Sequence, residues 1–412
     1  MRVGTLLDGV STQPRRDAHI VYDRRQILFV GDAPNLPPAE LLNPSQKKPD
    51  FEDAKITLLP GLIEAHAHLF LEGGELNATK RAEYLKQTPA ALLQAAKSRL
   101  ESLVLLGVIA VRDAGDKDGV GIALSRLYQS AEHPLMPYLD SPGAAIHHAG
   151  RYGSFMGEPI ENFPSALACV EGRINAGAYR IKLIPTGIIN FQKGAVATEP
   201  QMTTEEISDQ VKAASTHGRQ TFAHASGDKG IDRVIEGGVD SVEHGFFIRG
   251  DQLMRMRDQQ TAWVPTFAPV QKQVDHAAVM GWDETITSNL RRILDQHATS
   301  LSKAHAMGVK IIAGSDAGSY GVPHGIGFLY ELELMERAGM PSIAVINAAT
   351  GASANRLGYK ENFGRIQPGD RARFILTHHS PLASVANLAK PKSVIFDGIA
   401  YASNGDAPHA RL

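Results

Sequence analysis

The pattern of apolar and polar residues along the middle of the chain predicts strands that alternate with helices. From residue 56 to 359, short apolar runs alternate with longer amphipathic stretches. Eight of these runs are candidate strands: KITLLPGLIEAHAHL, GVIAVRDAG, PLMPYLDSPGAAI, YRIKLIPTG, RQTFAHAS, DSVEHGFF, AWVPTFAP and VKIIAGSDAG. Eight strand–helix repeats are typical of a (β/α)8 barrel, so we predict an α/β fold with a distorted TIM barrel over residues 56–359.

Both ends of the chain show a different pattern. Residues 1–55 and 360–412 contain short strand-like runs broken by Gly, Asp and Pro, such as AHIVYD, ILFVGD and SVIFDGIAYA. Runs of this length, bounded by turn residues, predict small antiparallel sheets. We therefore expect the two termini to form one small β-sandwich domain beside the barrel.

Composition limits the possible partners and location. The 412 residues are 43% hydrophobic and carry a formal net charge of −2, which is typical of a globular protein. This charge gives no electrostatic reason to expect nucleic acid or an anionic membrane as a partner. The single cysteine rules out an intramolecular disulfide, and we identify no signal peptide or membrane span. We expect a cytoplasmic protein whose partner is a small-molecule substrate.

The segment GLIEAHAHLF places two histidines at the end of the first candidate strand. Side chains at positions i and i+2 of a strand point to the same face, so His66 and His68 should point to the same place. Other strands also end in polar residues that bind metals or carry charge, and catalytic residues of a barrel lie at these strand ends. The strand-end residues are His66, His68, Asp113, Lys182, His224, His244 and Asp316. We predict that they converge on a metal site, with Asp113 in a supporting or turn role and not as a ligand.

The number of candidate ligands indicates two ions. Imidazoles and carboxylates suit zinc and similar divalent cations, and four histidines with an aspartate exceed what one catalytic zinc needs. A lysine beside two dications should have a lowered pKa and exist as the neutral amine. A neutral amine reacts with carbon dioxide to give a carbamate, which is a carboxylate that can bridge two metals. We therefore hypothesise a carbon dioxide-derived carbamate on Lys182.

The sequence resembles the amidohydrolase superfamily along nearly its whole length. The motifs that carry the resemblance are PGLIEAHAHL, VRDAG, IKLIPTG, AHASG, SVEHG, GSDAG, ATGASANRLG and GRIQPGDRARFIL. It is most similar to the prolidase-like, imidazolonepropionase-related branch. The resemblance divides the ligands between two metal ions: His66, His68 and Asp316 for one, His224 and His244 for the other, with carboxylated Lys182 bridging both. It also implies a homo-oligomer.

The resemblance and the metal chemistry imply hydrolysis of a C–N bond. A hydroxide bridging the two ions, most simply Zn²⁺, would attack the carbonyl carbon, because bound ions lower the pKa of water. The ion held by His224 and His244 would polarise the carbonyl oxygen. Asp316 is the candidate catalytic residue, which takes the hydroxide proton and passes it to the leaving nitrogen. The expected substrate is a dipeptide or an N-acyl amino acid.

Three alternatives remain open from the sequence. The first is hydrolysis of a non-peptide amide, urea or carbamate. The second is a mononuclear deaminase or cyclic-amide hydrolase, although deaminases carry a glutamate three residues after the fifth-strand histidine and this chain has Gly227 there. The third is a scaffold protein that kept the barrel and lost its metals, which the full set of ligand types argues against.

Loops after the third and eighth candidate strands are expected to contact the substrate. The candidate substrate-binding residues are His147, His148, Arg151, Tyr320 and His324. Arg151 would suit a substrate carboxylate as a bidentate partner. Relatives often read Thr-Gly-Gly after the bridging lysine, whereas Ile188 follows Thr186-Gly187 here. This isoleucine indicates a more apolar pocket, and the loops FMGEP and NFQKG are expected to cover it.

Overall fold

The computed structural model describes residues 1–33, 35–43, 48–130, 135–359 and 361–402. Some of the sequence-based predictions fall partly outside the described residues: Pro134 in the third candidate strand and, in the small domain, residues 34, 44–47, 360 and 403–412. Within the described residues the strands are β1 Arg2–Leu6, β2 Arg15–Tyr22, β3 Ile27–Asp32, β4 Glu52–Pro60, β5 Leu62–Ala67, β6 Val108–Asp113, β7 Tyr138–Asp140, β8 Ile181–Leu183, β9 Ile189–Asn190, β10 Ala195–Val196, β11 Thr221–Ala225, β12 Ser241–His244, β13 Ala262–Val264, β14 Lys310–Ile311, β15 Phe374–Thr377, β16 Ser393–Phe396 and β17 Ile399–Ala402.

Helices lie between most of the central strands. The described α-helices are α1 Ala78–Tyr84, α2 Pro89–Leu103, α3 Val120–Gln129, α4 Ala166–Ala176, α5 Thr204–Thr216, α6 Asp228–Glu236, α7 Gly250–Gln259, α8 Ala268–Asp275, α9 Ala277–Met280, α10 Glu284–Met307, α11 Ile326–Arg337, α12 Ser342–Ala348 and α13 Gly351–Leu357. Short 3₁₀ helices cover Ala39–Leu41, Val104–Leu106, Ser154–Met156, Ile160–Asn162 and Val385–Ala389. Each helix in the described ranges lacks the length or the apolar run needed to cross a bilayer.

Polar side chains determine where several of these helices begin. Thr88 accepts a hydrogen bond from the backbone N–H of Ala91, and the proline after it occupies the first turn of α2. Thr203 and Glu206 form a reciprocal capping box at the start of α5. Such caps satisfy backbone N–H groups that a helix leaves unpaired, so the sequence fixes these starting points locally.

The central strands form two parallel sheets. One has the order β5-β6-β7 and the other β8-β11-β12-β13-β14. Isolated parallel bridges connect them at both edges, Ala67 to Ala317 and Ile146 to Leu183. Every one of the eight candidate strands contributes a strand to these sheets. The fold is therefore α/β, and the strands run in the direction that the strand–helix alternation predicts.

The prediction of one continuous strand over residues 55–69 is wrong. The chain changes sheets at Gly61, so that β4 belongs to the terminal sheet and β5 to the parallel sheet. A Cβ atom at Gly61 would lie 2.2 Å from a methyl carbon of Ile109, so only glycine fits this close crossing. His66 and His68 therefore follow directly from the junction of the two sheets.

Strands from both termini form one mixed sheet of seven strands. Its order is β17-β16-β15-β4-β1-β2-β3, and β4 pairs in parallel with β1 and antiparallel with β15. Hydrogen bonds join these strands in one sheet, so the predicted two-layer sandwich is not confirmed. A separate apolar cluster that includes Leu58, Phe374 and Ile395 lies against this sheet. The predicted division into residues 1–55 with 360–412 and residues 56–359 stays a prediction.

Candidate metal centre

The two histidines of the first parallel strand lie side by side. His66 is the fifth residue of β5 and His68 follows its end, and their ring centroids are 5.6 Å apart. The Asp316 Oδ1 atom lies 3.7 Å from His66 Nε2 and 3.6 Å from His68 Nε2. The alternation of a strand therefore directs both imidazoles towards one carboxylate, as their spacing in the sequence predicts.

The histidines of β11 and β12 continue this cluster. The rings of His224 and His244 are 4.6 Å apart, and the rings of His244 and His66 are 5.1 Å apart. Burial lowers the pKa of His224 to about 3 and that of His68 to about 4. These imidazoles are therefore neutral near pH 7, which is the form that binds metals.

Three of these residues have the spacing of a metal site. Ligand atoms of His66, His244 and Asp316 all lie within 4.8 Å of one another. The Nε2 atom of His66 is buried and has no hydrogen-bond partner among the described residues. A buried polar atom without a partner is costly, so an ion at this position would satisfy a group that the protein leaves unpaired. The donor set fits a divalent cation such as Zn²⁺.

A buried acid that we did not predict orients His66. The Nδ1–H of His66 donates to Glu243 Oε2 at 2.6 Å, which leaves the Nε2 lone pair directed to the cluster. Arg112 donates to the same Glu243 oxygen at 2.8 Å, and Ser241 donates to the other oxygen at 2.6 Å. Acids that hold a ligand histidine in one tautomer are common around metals. The signal was present in SVEHG, where Glu243 precedes a predicted ligand.

Backbone and hydroxyl groups orient two further histidines. His68 Nδ1 lies 3.0 Å from the carbonyl oxygen of Gly115. His244 Nδ1 lies 2.8 Å from Thr266 Oγ1, and His244 adopts a φ of 68°, which a non-glycine residue rarely does. Each ring therefore has one nitrogen held by the protein and one available to a ligand. A strained backbone conformation, such as the positive φ of His244, is frequent at functional sites.

Lys182 in β8 lies in the same cluster. Its side chain is buried and its Nζ lies 4.7 Å from the centre of the Phe222 ring. Burial lowers the pKa of Lys182 to about 8, opposed by the negative charge of Glu243. A larger fraction of this amine is therefore uncharged near neutral pH than for an exposed lysine, and the neutral amine is the form that attacks carbon dioxide. Burial also raises the pKa of Asp316 to about 7 in the absence of an ion.

Buried acids beneath the cluster hold the strand ends. Glu64 accepts hydrogen bonds from the Ser315 backbone N–H at 2.8 Å and from its hydroxyl at 2.6 Å. Asp113, which we expected to have a supporting role and not a ligand role, accepts from the backbone N–H groups of Leu69 and Gly115. These contacts tie the loop that carries Asp316 and the loop after His68 to the sheet.

One cavity of about 690 Å³ contains the whole cluster. The candidate ligands that line it are His66, His68, Lys182, His224, His244 and Asp316. The remaining walls are largely apolar and come from loops and short helices: Leu71, Leu85, Tyr152, Phe155, Met156, Ile184, Ile188, Ile189, Phe191, Phe246, Val270, Met280 and Trp282. The FMGEP and NFQKG loops contribute Phe155, Met156 and Phe191, so both loops border the site. The helices α1, α8 and α9, which also border it, were not predicted to do so.

The five predicted substrate contacts have different positions. Tyr320 lines the cavity and carries the Arg81 guanidinium over its ring, with 4.1 Å between guanidinium carbon and ring centre. His324 lies behind the site, where its Nε2 is 3.1 Å from the carbonyl oxygen of His68. His324 therefore supports a candidate ligand and does not itself line the cavity.

The other three predicted contacts face away from the cavity. His147 is buried, with its ring nitrogens 3.0 Å from the carbonyl oxygens of His148 and Gly157. His148 Nδ1 lies 2.7 Å from Glu161 Oε1. Arg151 donates to the carbonyl oxygen of Glu199 at 2.8 Å. The loop after β7 brings these side chains to neighbouring loops, and their contact with a substrate stays a prediction.

The fold is α/β with two parallel sheets, and the buried His–Asp cluster has the ligand types and the spacing of a metal site. The sequence comparison agrees, because residues 57–400 match the sequence profile of the Amidohydrolase family. This match covers most of the chain and all six candidate ligands. The chain belongs to the Amidohydrolase family, which confirms the resemblance seen in its motifs.

Solved structures and one curated relative are similar over most of their length. A crystal structure of a Xaa-Pro dipeptidase with bound methionine in the active site has a TM-score of 0.81 and 26% identity, covering 97% of this chain and 98% of that chain. Ochratoxinase from A. niger has a TM-score of 0.81 and 21% identity, covering 100% and 97%. An uncharacterized protein of Mycobacterium tuberculosis is 25% identical over 302 residues, which cover 73% of this chain and 74% of that protein. The likeness supports an α/β fold similar to amidohydrolase TIM barrels.

Proposed function

We propose that this chain is a binuclear metal-dependent amidohydrolase that hydrolyses an amide or peptide C–N bond. The observation that carries the proposal is that all six candidate ligands, from four strands or their ends and the loop after β14, line one cavity. The unpartnered Nε2 of His66 and the 4.8 Å spacing of three ligand atoms support metal binding at that place. Family membership supports the hydrolase class.

The proposed ligand sets follow the positions of the side chains. One Zn²⁺ would be held by His66, His68 and Asp316, and a second by His224 and His244, with Lys182 as a carbamate between them. Two divalent ions bound there supply a hydroxide nucleophile near neutral pH and polarise the carbonyl oxygen of the substrate. We also propose that the two parallel sheets close into one eight-stranded barrel, since bridges connect them at both edges.

Asp316 is the proposed proton carrier. It lies at the end of the cluster nearest His66 and His68, and Ser319 beside it also lines the cavity. Its carboxylate takes the proton from the attacking nucleophile and gives it to the leaving nitrogen as the C–N bond breaks.

The substrates that we favour are dipeptides or N-acyl amino acids. The similarity to a Xaa-Pro dipeptidase supports a peptide-like substrate. Hydrolysis of a non-peptide amide, urea or carbamate is the second candidate, and the largely apolar walls favour it because they offer few groups to a charged substrate. The proposal retains a cytoplasmic location, small-molecule substrates and assembly as a homo-oligomer.

Metal analysis combined with product analysis tests this proposal. Protein loaded with zinc in bicarbonate buffer should contain about two ions per chain, and mass spectrometry should detect free amino acids released from a pool of dipeptides and N-acyl amino acids. Two bound ions without any cleavage would favour the second candidate. Failure to bind ions would contradict the proposed metal centre and support the metal-free scaffold.

A further inference from the structure

The cavity wall next to His224 is aromatic and uncovered. The Tyr152 ring lies 5.1 Å from the His224 ring and 5.7 Å from the Phe155 ring. Phe155 remains 43% exposed and Ile188 55% exposed, although both are large apolar residues that line the cavity. Apolar surface that a protein leaves uncovered beside a reactive cluster is surface available to a ligand. We call Tyr152, Phe155 and Ile188 the apolar wall.

The indole ring of Trp282, between α9 and α10, also lines this cavity. The rings of Phe191 and Trp282 are 6.2 Å apart, and Trp282 Nε1 donates to Gln273 Oε1 at 3.1 Å. Its polar atom is therefore satisfied by the protein, and the rest of the ring is available for apolar contact.

Charged groups in the cavity lie in the cluster or near Asp316. Among the described residues that line the cavity, Asp316 is the only carboxylate, and the cations are Lys182 and Arg81. Arg81 donates to the carbonyl oxygens of Glu72 and Gly318 and stacks on Tyr320, which follows Asp316 in the chain. None of the three residues of the apolar wall carries a charge, so the only carboxylate that a charged substrate group could meet in this cavity, among the described residues, is Asp316 in the cluster.

The order of contacts along the cluster gives the substrate a direction. Asp316 lies beside His66 and His68 and also near His244, whereas the Tyr152 ring lies against His224, the last ring of the row. If Asp316 protonates the leaving nitrogen, as the proposed function states, the leaving amine lies at the Asp316 end. The acyl group then lies at the other end, against the apolar wall.

We propose that the apolar wall is an acyl subsite for an uncharged aromatic or branched aliphatic group. The preferred substrates are then N-acyl amino acids, or other N-acyl amines, whose acyl part carries no α-ammonium group. An ammonium group at this wall would lose its hydration without gaining a carboxylate partner, which is strongly unfavourable. This inference rests on the proposed function and restricts it, because free dipeptides become poor substrates.

Two compounds that differ only in the α-ammonium group test the inference. Metal-loaded protein is given 3-phenylpropanoyl-leucine and phenylalanyl-leucine, and kcat/KM is measured for each. We expect a value at least about tenfold higher for 3-phenylpropanoyl-leucine, since burial of an unpaired charge costs more than this factor. N-acetyl-leucine should also be poorer by about tenfold, because its methyl group leaves the wall unfilled.

A double variant connects the preference to the wall. Phe155→Ala combined with Ile188→Ala should raise KM for 3-phenylpropanoyl-leucine by about tenfold while changing N-acetyl-leucine hydrolysis less. Ile399→Ala is a matched control, since Ile399 is 46% exposed on β17 of the terminal sheet, and it should leave both substrates unchanged. An unchanged preference in the double variant would overturn the assignment of the subsite.

The outcomes separate this inference from the proposed function. Equal or faster hydrolysis of phenylalanyl-leucine would overturn the acyl subsite and leave the hydrolase intact. If neither compound is cleaved, the favoured substrates of the proposed function are wrong, and binding of the two compounds then decides whether the apolar wall is an acyl subsite. The chain has two tryptophans, Trp263 fully buried and Trp282 in the cavity. Tryptophan fluorescence should be quenched by 3-phenylpropanoyl-leucine but not by phenylalanyl-leucine, and this quenching should be lost in Trp282→Phe. Equal quenching by the two compounds would contradict the subsite.

Discussion

The floor and the walls of the cavity are built in different ways. The floor consists of side chains at the ends of parallel strands, each oriented by a buried partner, as Glu243 orients His66 and Thr266 orients His244. The walls consist of side chains from loops and short helices, such as Phe155 and Ile188, that remain partly exposed. Rigid elements thus position the reacting groups, while the connecting segments determine which substrate fits.

The largest disruption of the floor is expected from Lys182→Ala. This variant should lose one of two bound ions and nearly all activity, because the proposed carbamate holds both ions. Metal content by mass spectrometry and turnover are the measurements. Added short carboxylates, such as acetate or propionate, should partly restore activity by occupying the vacated space, and full activity without them would contradict the bridging role.

Asp316→Asn should have the next largest effect. The amide cannot take or deliver a proton, so turnover should fall by about 10²–10⁴-fold while the apparent substrate affinity stays measurable. Steady-state kinetics on any cleaved substrate gives both values. Near-normal turnover in this variant would remove Asp316 as the proton carrier.

Glu243→Gln tests the support beneath the floor. The amide keeps the shape but removes the charge that fixes the His66 tautomer, so metal affinity should fall by about 10–100-fold. Competition with a chelator of known affinity measures the change. Ser241→Ala is the matched control, since it removes one neutral hydrogen-bond donor to Glu243 and should lower the metal affinity less than the loss of the Glu243 charge does.

The sequence could predict the candidate ligands of the floor, but not the side chains that support them. The candidate ligands lie at strand ends. The two-residue repeat of a strand determines which way a side chain such as His66 or His68 points, and the strand–helix order determines at which edge of the sheet it lies, so both could be predicted from the sequence. Contacts between side chains of different strands could not be predicted from the sequence. The buried Arg180, for example, donates from its Nε to Asp140 Oδ2 of β7 at 2.9 Å, and no pattern in the sequence connects these two residues. The path of the loop after β7 was also unpredictable, because no periodic pattern specifies how His147 and Arg151 turn.

A smaller effect is expected behind one wall, at His297. This histidine of α10 is buried and stacks on Phe246, which lines the cavity, with 4.0 Å between the ring centroids. Burial lowers its pKa to about 4. In the unfolded chain this imidazole takes up a proton near pH 6.5, whereas in the folded protein it stays neutral down to about pH 4. The free energy of unfolding should therefore fall by at most about 3 kcal/mol as the pH falls from 6.5 to 4.

The measurement compares denaturant unfolding of the wild type and His297→Phe between pH 4 and 7. The variant should lose less stability over this interval, because it lacks the proton that the unfolded wild type takes up. Identical pH dependence in the two proteins would contradict the explanation from burial.

The smallest effect is expected from Arg151→Ala. Its side chain is exposed and donates to the Glu199 carbonyl oxygen outside the cavity, so kcat/KM should change by less than about twofold. A loss of about tenfold or more would show that the loop after β7 moves in solution to bring Arg151 to the substrate, and the wall would then extend further than the structure places it.

The junction at Gly61 also affects how the chain is completed during synthesis. Strand β4, which leads directly into the strand of His66 and His68, has β15 as its neighbour on one side, and β15 lies near the other end of the chain. Until residues 374–377 have left the ribosome, that edge of β4 presents unpaired backbone groups to solvent. The strand of His66 and His68 is therefore made well before the sheet attached to it can be completed, and an unpaired edge of this kind is exposed to aggregation in the meantime.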